Sequence, residues 1–552
     1  MDQDRISNLP KTILHDILSR LSQKDAVLTS VLSKAWRETW STFPILSFSD
    51  AKILLPFSQP MEDFARLRKN FLDPTNVGTL PQPVEDFFRR IKNFLDYVGK
   101  TLLRFHDQGL AIKEFKLSVN YFDLKCMSRD VDLWMKLASE IGVEVLELCL
   151  PYGYEQCYIL PKCVLEAKTL NKLVLMGRIR VDQALLNHST KFFSLRVLSL
   201  QSVSLGDEQA IENLISRCPL IEYITLKFCS VSRTKSLSMF GLPKLKRLDV
   251  QGIQEVYVDA PSLENFCYCP ADFDAPFKMN FDRCRNLREL CLWSLKNTII
   301  TDEWFVELFH KFPFLESLKF VHCTMSGRIN ISSVQLKVLE LSNCSNLKEV
   351  NIDAPNLLTC GYCGDGAAKP FISFLNSSSQ LQVNVLFHID YPDLSNLREF
   401  IQNFKPQNVL ASLSLFIHQP IIDELNPDVL QVSSPPPSIK HLNLRAVPKK
   451  ETTYLALVNS LLSSCCPATI SLSLRSFFCS RAFIEFFYKT LMGRKEDNCF
   501  CSSGHTKCWW HGLKDVKVTS SIKTDENVDF KTMLDAFPTS AAQENISFRL
   551  EL

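Results

Sequence analysis

The residues richest in potential chemistry lie in "CFCSSGHTKCWWH", Cys499 to His511. Cys499, Cys501, His505, Cys508 and His511 put five soft or borderline donors into thirteen residues. Zinc takes four such donors in a tetrahedron. The Cys508-x-x-His511 gap suits it. Cys499-x-Cys501 is tighter than the usual two-residue gap, and a second knuckle is missing. The expectation is a metal-free loop whose cysteines and Trp509-Trp510 pack under the end of the fold, with zinc as the alternative. Cys360-Gly-Tyr-Cys363 has the spacing of a redox pair but falls in a strand-like apolar stretch, where packing is the expected role. Gly361, Gly364 and Gly366 lack the strand–turn–helix setting of a phosphate loop. There is no HExxH, GxSxG, nucleotide-binding or kinase motif, and the ten histidines are scattered. No cofactor and no catalysis by this chain are expected.

Composition frames these residues. The 552-residue chain is 46% hydrophobic and 22% charged, which is globular rather than disordered. Its 62 basic and 60 acidic residues leave a formal charge of +2, too little to steer it to nucleic acid or an anionic membrane. No apolar run approaches the roughly 18 residues of a membrane span. "MDQDRISN" is polar and charged, unlike an apolar signal core, so a cytoplasmic and/or nuclear location is expected. Twenty cysteines then read as reduced thiols, mostly buried as small apolar side chains.

The elements that must position any site come from one template, L-x-x-L-x-L, with Ile, Val or Phe substituting. It occurs thirteen times, from "IKEFKL" at Ile112 to "LKDVKV" at Leu513. Leu170, Leu195, Ile221 and Leu245 open successive copies at steps of 25, 26 and 24 residues. That is the leucine-rich-repeat period, in which stacked strands share one apolar spine. "VYVDAPSLENFCYC" from Val256 returns as "VNIDAPNLLTCGYC" 94 residues later, with turns too short for a helix between strands. Alternation on a strand turns Ser199, Thr225, Asp249, Cys291, Lys319, Glu340 and Asn443 outward, as candidate recognition residues. A second pair, "QPMEDFARLRKNFLD" from Gln59 and "QPVEDFFRRIKNFLD" from Gln82, lies 23 residues apart and reads either as a local duplication of one helix or as a gene-model artefact.

The first 45 residues read as three short helices. Ile13, Leu14, Ile17, Leu18 and Leu21 share a helical face, and Pro10 stands in the first turn. Ser22-Gln-Lys-Asp25 resembles a capping box for a second helix, with Ala26, Val27, Ser30 and Val31 on one face. Ser33 can cap a third, in which Trp36 and Trp40 are one turn apart. Helices this small cannot bury all their apolar surface in each other, so leftover faces want a partner groove or the first repeat.

"LPKTILHDILSRLSQKDAVLTSVLSKAWRETW" resembles the F-box of plant F-box/leucine-rich-repeat proteins. The resemblance rests on Leu9, Pro10, Ile13, Leu14, Ile17, Leu18, Leu21, Asp25, Ser30, Leu32, Ser33, Trp36 and Trp40. Lys11 and Thr12 depart from the acidic residues usual there, and Ala35 from a basic one. The resemblance implies a non-catalytic substrate receptor of a Skp–cullin–F-box ubiquitin ligase. Leu9, Pro10, Ile13, Leu14, Ile17, Leu18, Leu21, Val27, Val31, Leu32 and Trp36 would meet a Skp-type adaptor, and through it cullin. The repeats would hold a protein substrate, with no nucleic acid or membrane partner. The alternative is a repeat scaffold whose N-terminal helices only cap the array. The expected fold is α/β: a three-helix F-box (1–45), a helical linker (46–110), an irregular leucine-rich-repeat solenoid with a curved, mainly parallel sheet (111–490), and a Cys/Trp-rich loop with capping strands (491–552).

Overall fold

The computed structural model describes residues 9–51, 82–120, 124–151, 157–182, 194–205, 209–229, 236–281, 283–364, 370–389, 397–406, 410–417, 436–447, 451–474, 481–493, 509–520 and 544–551, with Ile6, Phe530 and Leu534. The chain divides into two compact units, residues 1–264 with 277–284, and residues 265–276 with 285–552.

The first unit opens with α1 (Lys11–Arg20), α2 (Gln23–Thr29) and α3 (Lys34–Ser41). Pro10 is the residue before α1, and its carbonyl accepts from Ile13 and Leu14. The Ser22 hydroxyl oxygen accepts from the Asp25 N–H at 3.2 Å, the N-cap half of the expected capping box, and donates to the Asp25 carboxylate at 2.6 Å, a side-chain bond in place of the box's return bond to the backbone. Ser33 accepts from the Trp36 N–H at 3.2 Å to start α3.

The parallel sheet of this unit begins earlier than position 111. β1 (Ile45–Ser49) pairs in register with β2 (Glu114–Ser118), and β2 with β3 (Val145–Cys149). "ILSFS" alternates as a strand should but lacks the leading half of the repeat template, so the spacing hides it. Asp50 is fully buried just after β1, and its carboxylate accepts from the Asn120 N–H at 2.8 and 3.0 Å and from the Asn120 amide at 2.8 Å. Strands Lys172–Met176, Val197–Gln201, Tyr223–Lys227 and Arg247–Gln251 follow, each parallel to the one before. The second copy of the duplicated segment lies in α4 (Gln82–Asp107). It buries Phe87, Val98, Leu102 and Phe105 and packs against α5 (Leu124–Ile141). The first copy lies outside the described residues.

The residue after each repeat strand makes the turn. Gly177, Ser202, Phe228 and Gly252 all have positive φ, from 50° to 97°. Gly177, Ser202 and Phe228 each donate their N–H to the last residue of the following strand at 2.7–2.8 Å. Only at Gly177 does glycine become obligatory, because a Cβ there would lie 1.8 Å from the Leu150 carbonyl oxygen.

In the second unit the described parallel strands are Asn265–Cys269, Glu289–Trp293, Ser317–Val321, Val338–Ser342, Thr359–Gly364, Gln382–Ile389, Leu410–Ile417, Ser438–Ala446 and Cys466–Leu474. Glu544–Glu551 then pairs antiparallel with Cys466–Leu474, and Asp515–Ser520 antiparallel with Glu544–Glu551. So the copy from Leu513 is a strand but not another parallel turn. The copy from Leu347 forms Glu349–Ala354 in a smaller side sheet beside Arg328–Ser332. A short turn leads from it to Thr359–Gly364 in the main sheet, without a helix, as the spacing predicts.

Inward template positions make the spine: Leu198, Leu200, Ile224 and Leu226 in the first unit, Leu318, Phe320 and Leu339 in the second, all with no exposure. A thiol ladder stitches successive turns. Cys229 donates its S–H to the Leu200 carbonyl at 3.4 Å, Cys323 to Leu292 at 3.4 Å, and Cys344 to Phe320 at 3.8 Å. Each of these cysteines stands two residues past its strand, and each accepting carbonyl belongs to the preceding strand. Burial pushes their pKa values up to about 11, 11 and 12, so the donor proton stays on.

Candidate functional site

The N-terminal helices sort their apolar residues into two sets. Leu14, Leu18, Ala26, Trp36 and Phe43 form a core, with Ile17, Trp40 and Ile45 half-buried against it. Trp40 stacks on Phe43 at 5.8 Å. His15 ties α1 to α3: its Nε2 lies 3.2 Å from the Thr39 carbonyl and 3.3 Å from the Thr42 hydroxyl. Burial is the main cause that holds the His15 pKa below its ordinary value.

The second set stands in solvent. Leu9 and Ile13 flank the start of α1, Leu21 follows it, and Val27, Leu28, Val31 and Leu32 run from α2 into the turn before α3. Val31 and Leu32 are 74% and 69% exposed, against 3% for Leu14, 1% for Leu18 and 6% for Trp36. Of the residues expected to meet the adaptor, Leu14, Leu18 and Trp36 are buried in the free chain, and Ile17 is half-buried. Leu9, Pro10, Ile13, Leu21, Val27, Val31 and Leu32 remain on the surface, joined by Leu28, which periodicity alone had not singled out. Exposed apolar residues gathered this densely along α1, α2 and the turn before α3 make a candidate interaction face.

The outward strand faces in each unit are mixed in charge. Ser199, Thr225 and Asp249 fall on one register row, continued by Val174, Glu147 and Lys116. Asp249 is less open than its position suggests. Its carboxylate pairs with Lys227 at 2.9 Å and accepts from Gln251 at 3.0 Å, and the residue is buried. In the second unit Cys267, Cys291, Lys319, Glu340 and Gly361 share a row, and Lys319 pairs with Glu340 at 3.1 Å. Asn443 lies elsewhere, donating to Ser412 at 2.8 Å and Ser414 at 3.4 Å. Lys116 and Glu147 occupy the template position that singled out the other candidates, so the same rule applied to every copy finds them. Cys267 sits in "NFCYC", outside the template, and only the register brings it in.

Among the described residues, seven cysteines are buried and eight half-buried, all as thiols rather than disulfides. Buried apolar use thus accounts for about half of them rather than most. Cys360 points inward, and burial raises its pKa to about 12; Cys363, three residues on, points to the other face. Opposite faces rule out the C-x-x-C pair as a local disulfide. Cys499, Cys501, His505 and Cys508 lie outside the described residues, as does the His511 side chain. Trp509 beside them donates its indole N–H to the Leu462 carbonyl at 2.8 Å.

Comparison with known proteins joins these parts. Residues 6–48 match the F-box domain model. The chain is a plant F-box/leucine-rich-repeat protein. Residues 131–280 match the leucine-rich repeats of the FBD-associated F-box protein At5g56370, and 274–476 the leucine-rich-repeat domain of At1g61320/AtMIF1. Relatives of this F-box/leucine-rich-repeat protein include the putative F-box/LRR-repeat protein At3g58880 of Arabidopsis thaliana, 26% identical over 65% of this chain and 68% of its own length. Another is the F-box/FBD/LRR-repeat protein At1g13570 of the same plant, 32% identical over 41% of this chain and 44% of its own. The chain spans about half to two thirds of the length of most curated relatives it matches. Among solved structures, the functional domain of InlJ from Listeria monocytogenes is 12% identical, covering 57% of this chain and 74% of that one at a TM-score of 0.22, and carries no argument.

Proposed function

We propose that this chain is the substrate-recognition subunit of a Skp–cullin–F-box ubiquitin ligase, non-catalytic itself, which docks a Skp-type adaptor through the F-box and a protein substrate through the repeats. The observation that carries the reading is the exposed set Val27, Leu28, Val31 and Leu32 on helices that already possess a core of their own. Burying one such aliphatic side chain contributes about 1.5–3 kcal/mol. A flexible self-association would waste that surface; a fixed groove on a partner uses it. The mixed charge of the outward strand rows suits a protein substrate better than a polyanion. No described helix is long and apolar enough to cross a membrane. A cytoplasmic and/or nuclear location accords with this role and belongs to the proposal.

The test is co-purification with a Skp-type adaptor. Deleting residues 1–44 should abolish capture. Val31→Asp with Leu32→Asp should do the same while leaving the helices folded, because both side chains are solvent-exposed in the free chain. Capture that survives the double substitution would favour the rival reading, a repeat scaffold with a helical cap. Exchange of residues 1–44 between two such proteins should leave the bound substrate with the repeats.

A further inference from the structure

On the outward row of the second unit, one pair of nucleophilic side chains stands apart. Cys267 and Cys291 lie directly opposite each other on adjacent parallel strands, in register and on the outward face. Neighbouring strands run about 4.8 Å apart. That lies inside the Cα separation of about 4.4–6.8 Å that a disulfide spans. The Trp293 indole N–H donates to the Cys291 sulfur at 3.0 Å, and the Cys267 side chain is its other hydrogen-bond partner. On the next strand Lys319 is the register neighbour of Cys291, with Glu340 drawing on its charge at 3.1 Å.

We infer that Cys267 and Cys291 form a reversible peroxide-sensitive thiol pair on the outward face of the repeats. Two donors and a nearby ammonium favour the Cys291 thiolate, and the Cys267 hydrogen bond is the largest cause of a pKa below the ordinary thiol value. Cys149 shows the contrast. It too is half-buried on an outward face, but burial and Glu147 push its thiol up. In the first step the Cys291 thiolate attacks one oxygen of hydrogen peroxide. An S–O bond forms, the O–O bond breaks, and hydroxide leaves to take up a proton as water. In the second step the Cys267 sulfur attacks the Cys291 sulfur, the S–O bond breaks, and a second water leaves. The two thiols lose two electrons and one peroxide gains them. The product lies within the row that also holds Lys319 and Glu340, so oxidation would alter that part of the surface. The half-buried disulfide would face outward, within reach of a small thiol reductant.

The test uses the full chain, reduced and then exposed to hydrogen peroxide, with peptide mapping. A Cys267–Cys291 linked peptide should appear and vanish on adding dithiothreitol. Cys267→Ser should leave Cys291 as a sulfenic acid trapped by dimedone. On the reduced chain at pH 7, iodoacetamide should alkylate Cys291 faster than Cys149, since the thiolate is the nucleophile. Trp293→Phe, which keeps the ring and removes the donor, should narrow that difference and serves where Cys267→Ser fails to fold. Equal alkylation of Cys291 and Cys149 overturns the inference. So does peroxide that leaves both thiols free, or that carries Cys291 to the sulfinic acid with Cys267 intact.

Discussion

Leu200 and Val31 are both aliphatic and both sit in or beside short elements, yet Leu200 has no exposure and Val31 is 74% exposed. The difference lies in what each region can offer its own residues. A repeat strand has a neighbour on each side and a layer behind it, so an inward Leu is sealed by the next copy of the template. Three helices of ten, seven and eight residues have one small core. Leu14, Leu18 and Trp36 fill it, and the remaining aliphatics have nowhere internal to go. The repeat spine is self-sufficient in apolar contacts, although the repeats also expose Phe240, Val306 and Leu375. The F-box concentrates seven exposed aliphatic side chains within residues 9–32, the surface that the proposed adaptor would cover.

The sharpest way to break the self-sufficient region is Gly177→Ala. The added Cβ would meet the Leu150 carbonyl oxygen at 1.8 Å, and the backbone there has φ of 97°. Backbone strain plus a forced shift should cost about 3 kcal/mol or more. Denaturant unfolding of the first unit would show it, with adaptor capture by the remaining folded fraction unchanged. An unaltered midpoint would mean that the turn after Lys172–Met176 is not held as described.

Next comes a pair of substitutions in the helices that should differ in kind. Leu18→Ala empties the small core and should cost about 2–5 kcal/mol. It should raise hydrogen exchange throughout residues 11–41 and weaken adaptor capture as a consequence. Val31→Asp should leave exchange unchanged and cost about 2 kcal/mol in adaptor affinity, roughly 30-fold, because a charge enters a closed contact. If Val31→Asp unfolds the helices and Leu18→Ala does not, the assignment of core and face is inverted.

That pair also marks how far a sequence carries. L-x-x-L-x-L repeats because inward and outward positions must alternate while turns stack, so the strands and the outward rows are readable from spacing. The same logic fails where a strand lacks the template's first half, as in Ile45–Ser49, or where a template copy is drawn into a side sheet, as in Glu349–Ala354. In the helices, Leu14 and Leu18 cannot be told from Ile13 and Leu21 by period alone. All are aliphatic at helical spacing, and only the packing of α3 over α1 decides which are covered. Cys267 was hidden for another reason: register across strands is a long-range property that no local motif encodes.

A smaller effect should come from the thiol ladder. Cys323→Ala leaves the Leu292 carbonyl without its S–H donor at 3.4 Å and should cost about 0.5–1.5 kcal/mol by denaturant titration. Cys323→Ser, with a shorter but stronger donor, should recover part of that. If the serine is worse than the alanine, the thiol serves there only as apolar volume.

Acid should separate the two regions most gently. Burial holds the folded pKa of His15 below its ordinary 6.5, so the unfolded chain takes a proton more readily. The helices therefore keep their full stability above about pH 6.5, lose it progressively below, and lose no more once the pH is under the folded value. In the repeats, Glu222 accepts from Lys246 at 3.1 Å and Arg196 at 2.8 Å, which hold its carboxyl below the ordinary 4.5. Its contribution is complete above pH 4.5 and disappears only as the pH falls through that lower value. Arg196 and Lys246 are solvent-exposed and the interaction is screened by salt, so its share is slight. Between these two values only the helices should loosen. Hydrogen exchange at pH 7 and pH 5, corrected for intrinsic rates, should show protection falling in residues 11–41 and holding in 197–251. His15→Gln, unable to titrate, should hold protection in both. Loss of protection in the strands before the helices would place the acid-sensitive group in the repeats instead.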